Sequence, residues 1–385
     1  MQIFKNPSFT FMKFKYVAIG FSAIIIIAGI LNIILGKGLN YGIDFAGGSL
    51  IHIKLREKTS INEVRSALAA NGLGNSKIQE VGSTNTEYMI RTMQPEGVEQ
   101  EQDLEAHEIM GQRVVDVLRT EEGKASFEKG LMDLNSIDEK SLTALLELYV
   151  PEEAEDASQK VIAFRIRNGI IRSYEQIEQE TGVSESVINT LKEKTFLSRL
   201  AVLSRESVGP QVGFDLRRKA TQATVWALLG MLIYIGIRFK IAYGVSAILT
   251  LAHDVFFTIG IFSFTNREIN LPVIAAILTI VGYSLNDTIV IFDRVRDNLK
   301  ILRKLDFESL LNTSINQTLS RTIITSGTTF ITVLALFLFG GKVINDFAFT
   351  MIVGVIVGTY SSIYQSCSIL YFWKKLFKPK KGMGK

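Results

Sequence analysis

Six long apolar runs restrict this chain to folds that cross a membrane several times. They cover about residues 14–35, 220–237, 241–264, 272–292, 322–339 and 347–373. A hydrocarbon layer of about 30 Å is crossed by ~20 residues of α-helix, so each run is long enough. The first run exceeds the apolar core of a signal peptide, about 7–15 residues, and no small-residue cleavage site follows it. We therefore predict a polytopic α-helical membrane protein with six transmembrane helices, the first of them uncleaved.

Polar residues concentrate between the first two runs. Of the 385 residues 47% are apolar and 21% are charged, and residues 40–219 hold most of the acidic ones. The predicted domains are therefore an N-terminal segment (1–13), a first span (14–36), a water-exposed domain (37–219), a five-helix membrane domain (220–373) and a basic tail (374–385). The net charge of +4 is a difference between two unlike regions and indicates no partner. The single cysteine, Cys367, lies in a predicted span, which excludes an intrachain disulfide.

The distribution of lysine and arginine predicts the orientation. These residues cluster before the first run, between the second and third, between the fourth and fifth, and after the sixth. The short loops on the opposite side carry only Arg267 and Lys342. By the positive-inside rule, both termini are cytoplasmic and the domain at 37–219 is extracytoplasmic. The basic loop after the fourth run contains a helix-like stretch, residues 307–311, which is predicted to lie along the inner surface.

The two ends of the extracytoplasmic domain show the pattern of a small α+β sandwich. Residues 49–55 alternate as a strand does, residues 61–68 follow as a helix, and residues 77–81, 87–91 and 198–206 give further strands. Gly42, Gly47 and Gly48 indicate a tight backbone path next to the first span. Because no P-loop lysine follows them, a nucleotide site is not favoured.

The middle of this domain, about residues 100–195, is predicted to be a helical insertion that resembles a helix-hairpin-helix unit. Arg165, Arg167 and Arg172 could contact phosphate, but four glutamates surround them and the insertion lies outside the cytoplasm. We therefore predict a structural or protein-contacting role and no binding of nucleic acid. The apolar positions suffice for a small helical core and include Leu142, Leu145, Leu146, Ile162, Phe164, Ile177 and Leu191.

Ionisable groups inside the predicted spans point to function. A charged side chain at that depth costs at least ~2.5–3.5 kcal/mol, so such groups usually face a partner, a cavity or an ion path. A carboxylate near a guanidinium can bind and release a proton, as a relay requires. The candidate relay residues are Asp287, Arg321, Asn286, His253 and Asp254. Three alternatives stay open: a static buried pair that fixes helix packing, an Arg321 that snorkels to the interface, and a His253 that only packs.

Several short motifs carry a resemblance to a known family. Residues 41–48 read Y-G-I-D-F-A-G-G and residues 208–213 read V-G-P-Q-V-G. These resemble the elements G-[IL]-D-F-x-G-G and V-G-P-x-V-G of the SecD/SecF family, which belongs to the RND-like superfamily. The matching positions are Gly42, Asp44, Phe45, Gly47, Gly48, Gly209, Pro210, Gly213, Gly282, Asp293 and Arg294. His253-Asp254 and residues 282–298 and 319–322 resemble SecF rather than SecD members. The helical segment at 100–195 departs from the shorter domain usual in the family.

The resemblance implies a fold like half of an RND transporter and a place in the accessory complex of the Sec preprotein translocase. The family uses the ion gradient across the inner membrane to drive late export of preproteins, while SecA spends the ATP. The implied partners are SecD, the SecYEG channel, YajC, the translocating preprotein and the membrane itself. Carried onto this chain, Asp287 matches the intramembrane aspartate of the family and Arg321 matches its arginine in the fifth span. The resemblance favours protons as the coupling ion and leaves sodium open.

Two other functions are compatible with these sequence features. One is an RND-like half-transporter for small molecules or lipids, whose loss would leave secretion normal. The other is a membrane scaffold that does not transport, which would tolerate Asp287→Asn. An enzyme is not expected, because the sequence shows neither an HExxH motif nor a serine–histidine pair in a family motif, and no cofactor or metal is predicted.

Overall fold

Six helices among the described residues of a computed structural model are long and apolar enough to cross a membrane, which confirms the six predicted spans. The structure describes residue 4 and residues 7–36, 38–81, 84–92 and 103–377. The start of the predicted insertion (100–102) and most of the predicted basic tail (378–385) lie outside the described residues. The chain divides into two compact units, Met1–Gly42 with Arg217–Lys385, and Ile43–Leu216.

The secondary structure is mostly helical in the first unit and mixed in the second. In chain order the elements are α1 (Lys15–Leu35), β1 (Asn40–Tyr41), α2 (Ile43–Ala46), β2 (Gly48–Leu55), α3 (Ile61–Ala70), β3 (Lys77–Glu80), β4 (Glu87–Thr92), α4 (Asp103–Leu118), α5 (Glu121–Glu128), β5 (Met132–Asp133), α6 (Glu139–Glu147), α7 (Ala154–Asn168), α8 (Tyr174–Thr181), α9 (Glu185–Lys194), β6 (Thr195–Phe196), β7 (Leu200–Val208), α10 (Pro210–Arg238), α11 (Ile241–Thr265), β8 (Glu268–Ile269), α12 (Leu271–Ile301), α13 (Phe307–Phe339) and α14 (Gly341–Leu376). A 3-10 turn, Phe11–Phe14, precedes α1. The spanning helices are α1 and α10 to α14.

Helix α14 lies at the centre of the membrane unit, where it packs against α1, α11, α12 and α13. Two glycines bring it close to α12. A Cβ atom at Gly354 would lie 2.1 Å from Cδ1 of Ile280, and one at Gly358 would lie 3.2 Å from Cβ of Ser284. Small residues at such crossings let two backbones approach, which strengthens packing where lipid supplies no hydrophobic driving force.

Helices α1 and α11 make an even closer crossing. A Cβ atom at Gly29 would lie 2.5 Å from Cα of Gly260. Because Cα is a backbone atom, it cannot move aside through a change of side-chain rotamer. The side chain of Asn32 donates a hydrogen bond to the carbonyl of Ser263 at 3.0 Å and so anchors the same contact. This geometry leaves no room for a side chain at Gly29.

Helix α13 corrects one prediction. Residues 307–311 were expected to be a helix-like stretch of the loop before the fifth span, lying along the inner surface, but they are the first turns of one continuous helix that includes the span. It begins at the cap residue Asp306, whose carboxylate accepts a hydrogen bond from the main-chain N–H of Ser309 at 3.0 Å. Its 33 residues extend about 50 Å, which is longer than a hydrocarbon layer is thick. The helix continues without a break from the loop into the span because residues 307–326 contain no proline or glycine.

An N-terminal strap, formed by Phe4 and residues 7–14, lies along the first half of α13. Polar side chains spaced four residues apart on α13 hold the backbone of this strap. The bonds run from the N–H of Phe4 to Ser320 (3.2 Å), from the N–H of Phe9 to Asn316 (3.0 Å) and from the N–H of Met12 to Asn312 (2.9 Å). Beyond the strap, Lys15 pairs with Glu308 at 3.0 Å. The four-residue spacing places all these groups on one helical face.

The second unit contains an antiparallel sheet with the order β3-β4-β2-β7. These four strands and α3 confirm the predicted strands and helix, with bounds that differ by two residues or fewer. Helix α3 begins with a capping box in which Ser60 and Glu63 exchange hydrogen bonds. The apolar core between helices and sheet includes Val64 and Leu68 of α3 and Ile51 of β2.

The segment between α4 and β7 is a compact helical insertion with a core of its own. All seven apolar residues predicted for that core are buried in one cluster. The side chain of Asn135 ties the insertion to the sheet domain, because it donates to the carbonyls of Ile171 (2.9 Å) and Ser198 (3.0 Å).

Candidate functional site

A buried carboxylate, Asp254, lies where α11, α12 and α14 meet. Its side chain is 1% exposed and receives hydrogen bonds from Ser284 of α12 and from Ser361 of α14, the latter at 2.9 Å. The neighbouring His253 contributes Nδ1 at 2.8 Å from the other carboxylate oxygen. Three helices therefore contribute to one polar cluster, which we call the Asp254 cluster: His253, Asp254, Ser284 and Ser361.

A second buried carboxylate, Asp287, lies between α12, α13 and α14. Asp287 is 2% exposed and accepts a hydrogen bond from Ser326 of α13 at 3.4 Å. Ser326 in turn accepts one from Thr359 of α14 at 2.8 Å. Among the described residues the bond from Ser326 is the hydrogen bond that Asp287 accepts, and it is long; a carboxylate can accept about four, so Asp287 is weakly held.

Arg321 and Asn286 are placed differently from the buried carboxylates. Both side chains are exposed on the surface of the chain. No salt bridge of 4.0 Å or less joins Arg321 to Asp287 within the part of the chain that the structure describes, although the positive charge of Arg321 still acts on Asp287. Of the five predicted relay residues, the structure therefore brings His253 and Asp254 into direct contact and leaves Arg321 apart from Asp287.

The exposed side of the first half of α12 is small and polar rather than apolar. Between Leu271 and Asp287 the exposed positions are Ala275, Thr279, Gly282 and Asn286, and spacings of three and four place them on one helical face. Helix α13 exposes Arg321, Thr328 and Thr332 together with the large apolar side chains of Ile323, Ile331, Leu338 and Phe339. By contrast, α1 and α10 expose large apolar side chains such as Ile24 (70%) and Trp226 (72%). We call the α12 surface formed by Ala275, Thr279, Gly282 and Asn286 the small-polar face.

Sequence reasoning missed the contribution of α14. Its residues 359–368 hold a dense run of hydroxyl and amide groups, and Ser361, Ser362, Gln365 and Ser366 are all buried. Ser362 lies 3.1 Å from the hydroxyl of Thr288 and donates to the carbonyl of Ser284 at 3.4 Å. Eight residues with hydroxyl or amide side chains within ten positions of an apolar span were a signal available in the sequence.

The motif residues near the ends of the spans have local structural roles. Asp293 pairs with Arg296 at 3.0 Å and with Arg238 at 3.7 Å. Arg294 donates from Nε to the side-chain oxygen of Gln317 at 2.6 Å. These contacts join α12 to α10 and α13 beyond the buried carboxylates.

The glycines of the two sequence motifs allow a close contact between their backbones. Gly47 and Gly48 have φ values of +69° and +116°, which favour glycine, where the chain turns from α2, with Asp44 and Phe45, into β2. The N–H of Gly213 bonds to the carbonyl of Gly209 in the first turn of α10, which opens with Pro210. A Cβ atom at Gly213 would lie 3.1 Å from the backbone nitrogen of Gly47, so the two motifs meet at a close backbone contact.

Gly42 makes a similar contact in the membrane unit. Its N–H donates to the carbonyl of Ile269 at 2.8 Å, beside the parallel pair formed by β1 and β8. A Cβ atom at Gly42 would lie 3.2 Å from that same carbonyl oxygen. The glycine thus permits the chain leaving α1 to pair with the loop between α11 and α12.

The arginines of the helical insertion have protein partners. Arg165 is buried and donates to the carbonyls of Leu134 (3.0 Å) and Ile137 (2.7 Å). Arg167 pairs with Glu180 at 3.1 Å. This arrangement supports the structural interpretation of the insertion. Within the described residues no group of three or more His, Cys, Asp or Glu side chains could hold a metal ion.

Comparison with protein families and relatives agrees with this architecture. Residues 186–376 match the model for the C-terminal part of protein export membrane protein SecD/SecF, and residues 33–57 match the model for the SecD/SecF GG motif. Protein translocase subunit SecF of Koribacter versatilis is 37% identical over 391 aligned residues, which cover 97% of this chain and 94% of that one. The Escherichia coli O157:H7 SecF subunit is 32% identical over 94% of this chain and 86% of its own length.

Solved structures show the same likeness. The crystal structure of SecDF, a translocon-associated membrane protein from Thermus thermophilus, superposes with a TM-score of 0.65 at 30% identity. The match covers 96% of this chain and 39% of that one, so this chain spans about two-fifths of the SecDF length.

Proposed function

This chain belongs to the SecD/SecF family of protein export membrane proteins, on its SecF side, and from that membership we propose that it couples an ion gradient to protein export. The proposed role is to use the proton gradient across the cell inner membrane to drive late steps of preprotein passage through the SecYEG channel. The proposed partners are SecD, SecYEG, YajC and the preprotein. The named function of the relatives, protein translocase subunit, favours this role over a half-transporter for small molecules or lipids.

The observation that supports coupling best is the environment of Asp287. Asp287 is buried near the middle of a span. Among the described residues it accepts one long hydrogen bond and forms no salt bridge of 4.0 Å or less with Arg321. A carboxylate that served only to fix helix packing would be expected to form a close, fully satisfied ion pair. A weakly held carboxylate can exchange a proton without dismantling its surroundings. In this proposal Asn286 and Arg321 face the partner side of the same site, and His253 and Asp254 belong to the relay.

The proposed SecD partner is supported by the small-polar face. Lipid-facing helices normally present large apolar groups, whereas helix–helix interfaces in membranes are enriched in glycine, alanine, serine and threonine. Asn286 and Arg321 would be costly facing hydrocarbon, and a second helical bundle would cover them. This face also lies next to Asp287, so a partner bound there would complete the relay.

Replacing Gly282 with leucine tests that interface. In this chain no atom lies within 4 Å of a Cβ atom at Gly282, so the variant should fold, but the new side chain should obstruct a bundle packed on the small-polar face. We expect a sharp drop in the amount of SecD that co-purifies. The matched control is Gly230→Leu on α10, which also has an open Cβ position. Equal recovery of SecD with both variants would contradict the assignment of the face.

Cysteine labelling tests the proposed orientation, with both termini cytoplasmic and residues 37–219 outside. Lys140 and Lys304 are exposed lysines on either side of the predicted membrane barrier, so each can be changed to cysteine without disturbing a core. A membrane-impermeant maleimide, added to cells whose outer membrane has been removed and whose inner membrane is intact, should modify Lys140→Cys and spare Lys304→Cys. The native Cys367 is 0% exposed and should stay unmodified. If only Lys304→Cys were labelled, the orientation would be opposite to the one proposed.

A further inference from the structure

The two ring nitrogens of His253 have different surroundings. The ring is 11% exposed, and its Nε2 atom is buried without a hydrogen-bond partner among the described residues. An ionised carboxylate can only accept, so Nδ1 carries the hydrogen that bonds to Asp254 and Nε2 presents a bare lone pair. A buried acceptor left without a donor destabilises the folded protein, so packing alone does not explain this bare nitrogen.

The charge of the Asp254 cluster points the same way. With neutral His253 the cluster carries one negative charge inside a span, and a proton bound at Nε2 turns it into a neutral imidazolium–carboxylate pair. Every hydrogen bond of Asp254, from Ser284, Ser361 and Nδ1 of His253, is kept in both states. Proton binding therefore removes a net charge from the membrane interior without rearranging the side chains.

The Asp254 cluster and Asp287 lie at different positions along α12, which suggests the order in which a proton would reach them. Ser284 and Asp287 lie on the same helix three residues apart, which is about 4.5 Å along the axis. Asp287 is thus nearer to the end of α12 that carries Arg294, and the Asp254 cluster is nearer to the end that begins at Leu271. Ser362 lies in this interval, bonded to the hydroxyl of Thr288 and to the carbonyl of Ser284.

We propose that His253 and Asp254 form a second proton site, at which Nε2 of His253 binds the proton and Asp254 balances its charge before the proton passes to Asp287. The transfer breaks the Nε2–H bond and forms an O–H bond on the carboxylate of Asp287, so the cluster regains its negative charge as Asp287 becomes neutral. This inference rests on the proposed function. With the orientation proposed above, protons from outside reach the cluster first.

The other titratable groups around the pair come from neighbouring helices. Tyr360 of α14 has its ring centroid 6.4 Å from that of His253, and α12 contributes Tyr283 and Asp287. Helix α13 contributes Arg321, which acts on Asp287. Helix α1 has no titratable residue between positions 17 and 35. None of these groups occupies Nε2 of His253 in the described part of the chain.

Replacing His253 with asparagine separates the proton site from the packing role. The asparagine amide can replace the Nδ1–H donor to Asp254 but offers nothing in place of Nε2. In membrane vesicles that contain the full translocase, we expect the variant to export preprotein at the rate seen without a gradient, whether or not a gradient is imposed. Asp254→Asn should give the same loss. Thermal unfolding and SecD co-purification should match the unchanged protein.

The matched control is Thr258→Val. It removes a buried hydroxyl one turn along α11 that bonds only to the main-chain carbonyl of Asp254, and it should keep the full response to the gradient. A full response by His253→Asn, while Asp287→Asn loses it, would overturn the second site and leave the proposed function standing. A full response by both variants would instead overturn the proposed function.

A measurement on the unchanged protein covers the case in which the variants fold poorly. The chain has only three histidines, so ¹⁵N-histidine spectra of the full-length protein in lipid nanodiscs should resolve His253. We expect its Nε2 signal to change from a bare to a protonated nitrogen as the pH is lowered. A bare Nε2 at every pH at which the protein stays folded would overturn the proposal.

Discussion

Replacing Asp287 with asparagine is expected to abolish the part of preprotein export that depends on the ion gradient. The two side chains have nearly the same size, and asparagine can still accept the hydrogen bond from Ser326. Insertion, folding and SecD binding should therefore be unchanged, while the site loses its capacity to bind and release a proton. Export measured in vesicles with and without an imposed gradient should show equal, low rates.

The matched control for this variant is Asp297→Asn on the same helix. Asp297 is exposed and makes only a surface pair with Lys300 at 3.4 Å, so its neutralisation should leave export unchanged. If Asp287→Asn supported gradient-dependent export at the normal rate in cells without another copy, Asp287 would be a packing residue and the scaffold alternative would gain support.

Replacing Gly29 with leucine is expected to cause the largest loss of stability. The added Cβ atom would lie 2.5 Å from Cα of Gly260, so α1 and α11 must separate and lose the contact that Asn32 makes with Ser263. Overpacking of a tight core costs about 1–3 kcal/mol, and we expect at least about 3 kcal/mol because the contact is backbone on one side. Thermal unfolding in a mild detergent should show a lower midpoint and a lower yield of folded protein.

Gly20→Leu provides the comparison on the same helix. No atom lies within 4 Å of a Cβ atom at Gly20, so leucine there should extend into lipid at little cost. Equal midpoints for the two variants would show that α1 can shift along α11 without penalty, contrary to the close crossing described above.

The sequence was sufficient to predict the spans and the sheet because their signals are local. Apolar length alone identifies α1 and α10 to α14, and alternation identifies β2 and β7 with bounds within two residues. The core of the insertion was equally readable, since Leu142, Ile177 and Leu191 follow the period of amphipathic helices. Such patterns reflect burial of each element separately and need no knowledge of its neighbours.

The arrangement of the site could not be predicted in the same way. Most residues of a spanning helix are apolar whichever side they face, so the sequence does not show that Asp287 turns inward while Asn286, one residue earlier, turns outward. The proximity of Asp254 to Ser361 depends on how three helices cross, across 107 residues of sequence. The sequence likewise does not show that Arg321 lies on an exposed face of α13.

The extended form of α13 could have been recognised, because residues 307–326 contain no helix breaker. What the sequence did not show was a partner for its polar residues Asn312, Asn316 and Ser320. Those groups bind main-chain atoms of the N-terminal strap, so no side-chain pattern in the strap records the contact.

The strap also sets an order of events during synthesis. Met12 leaves the ribosome well before its partner Asn312, which follows 300 residues later. At about 5–20 residues per second, the strap waits roughly 15–60 s before α13 exists to receive it. The strap is thus synthesised long before it can reach its final position, and its docking requires that the fifth span is already in place.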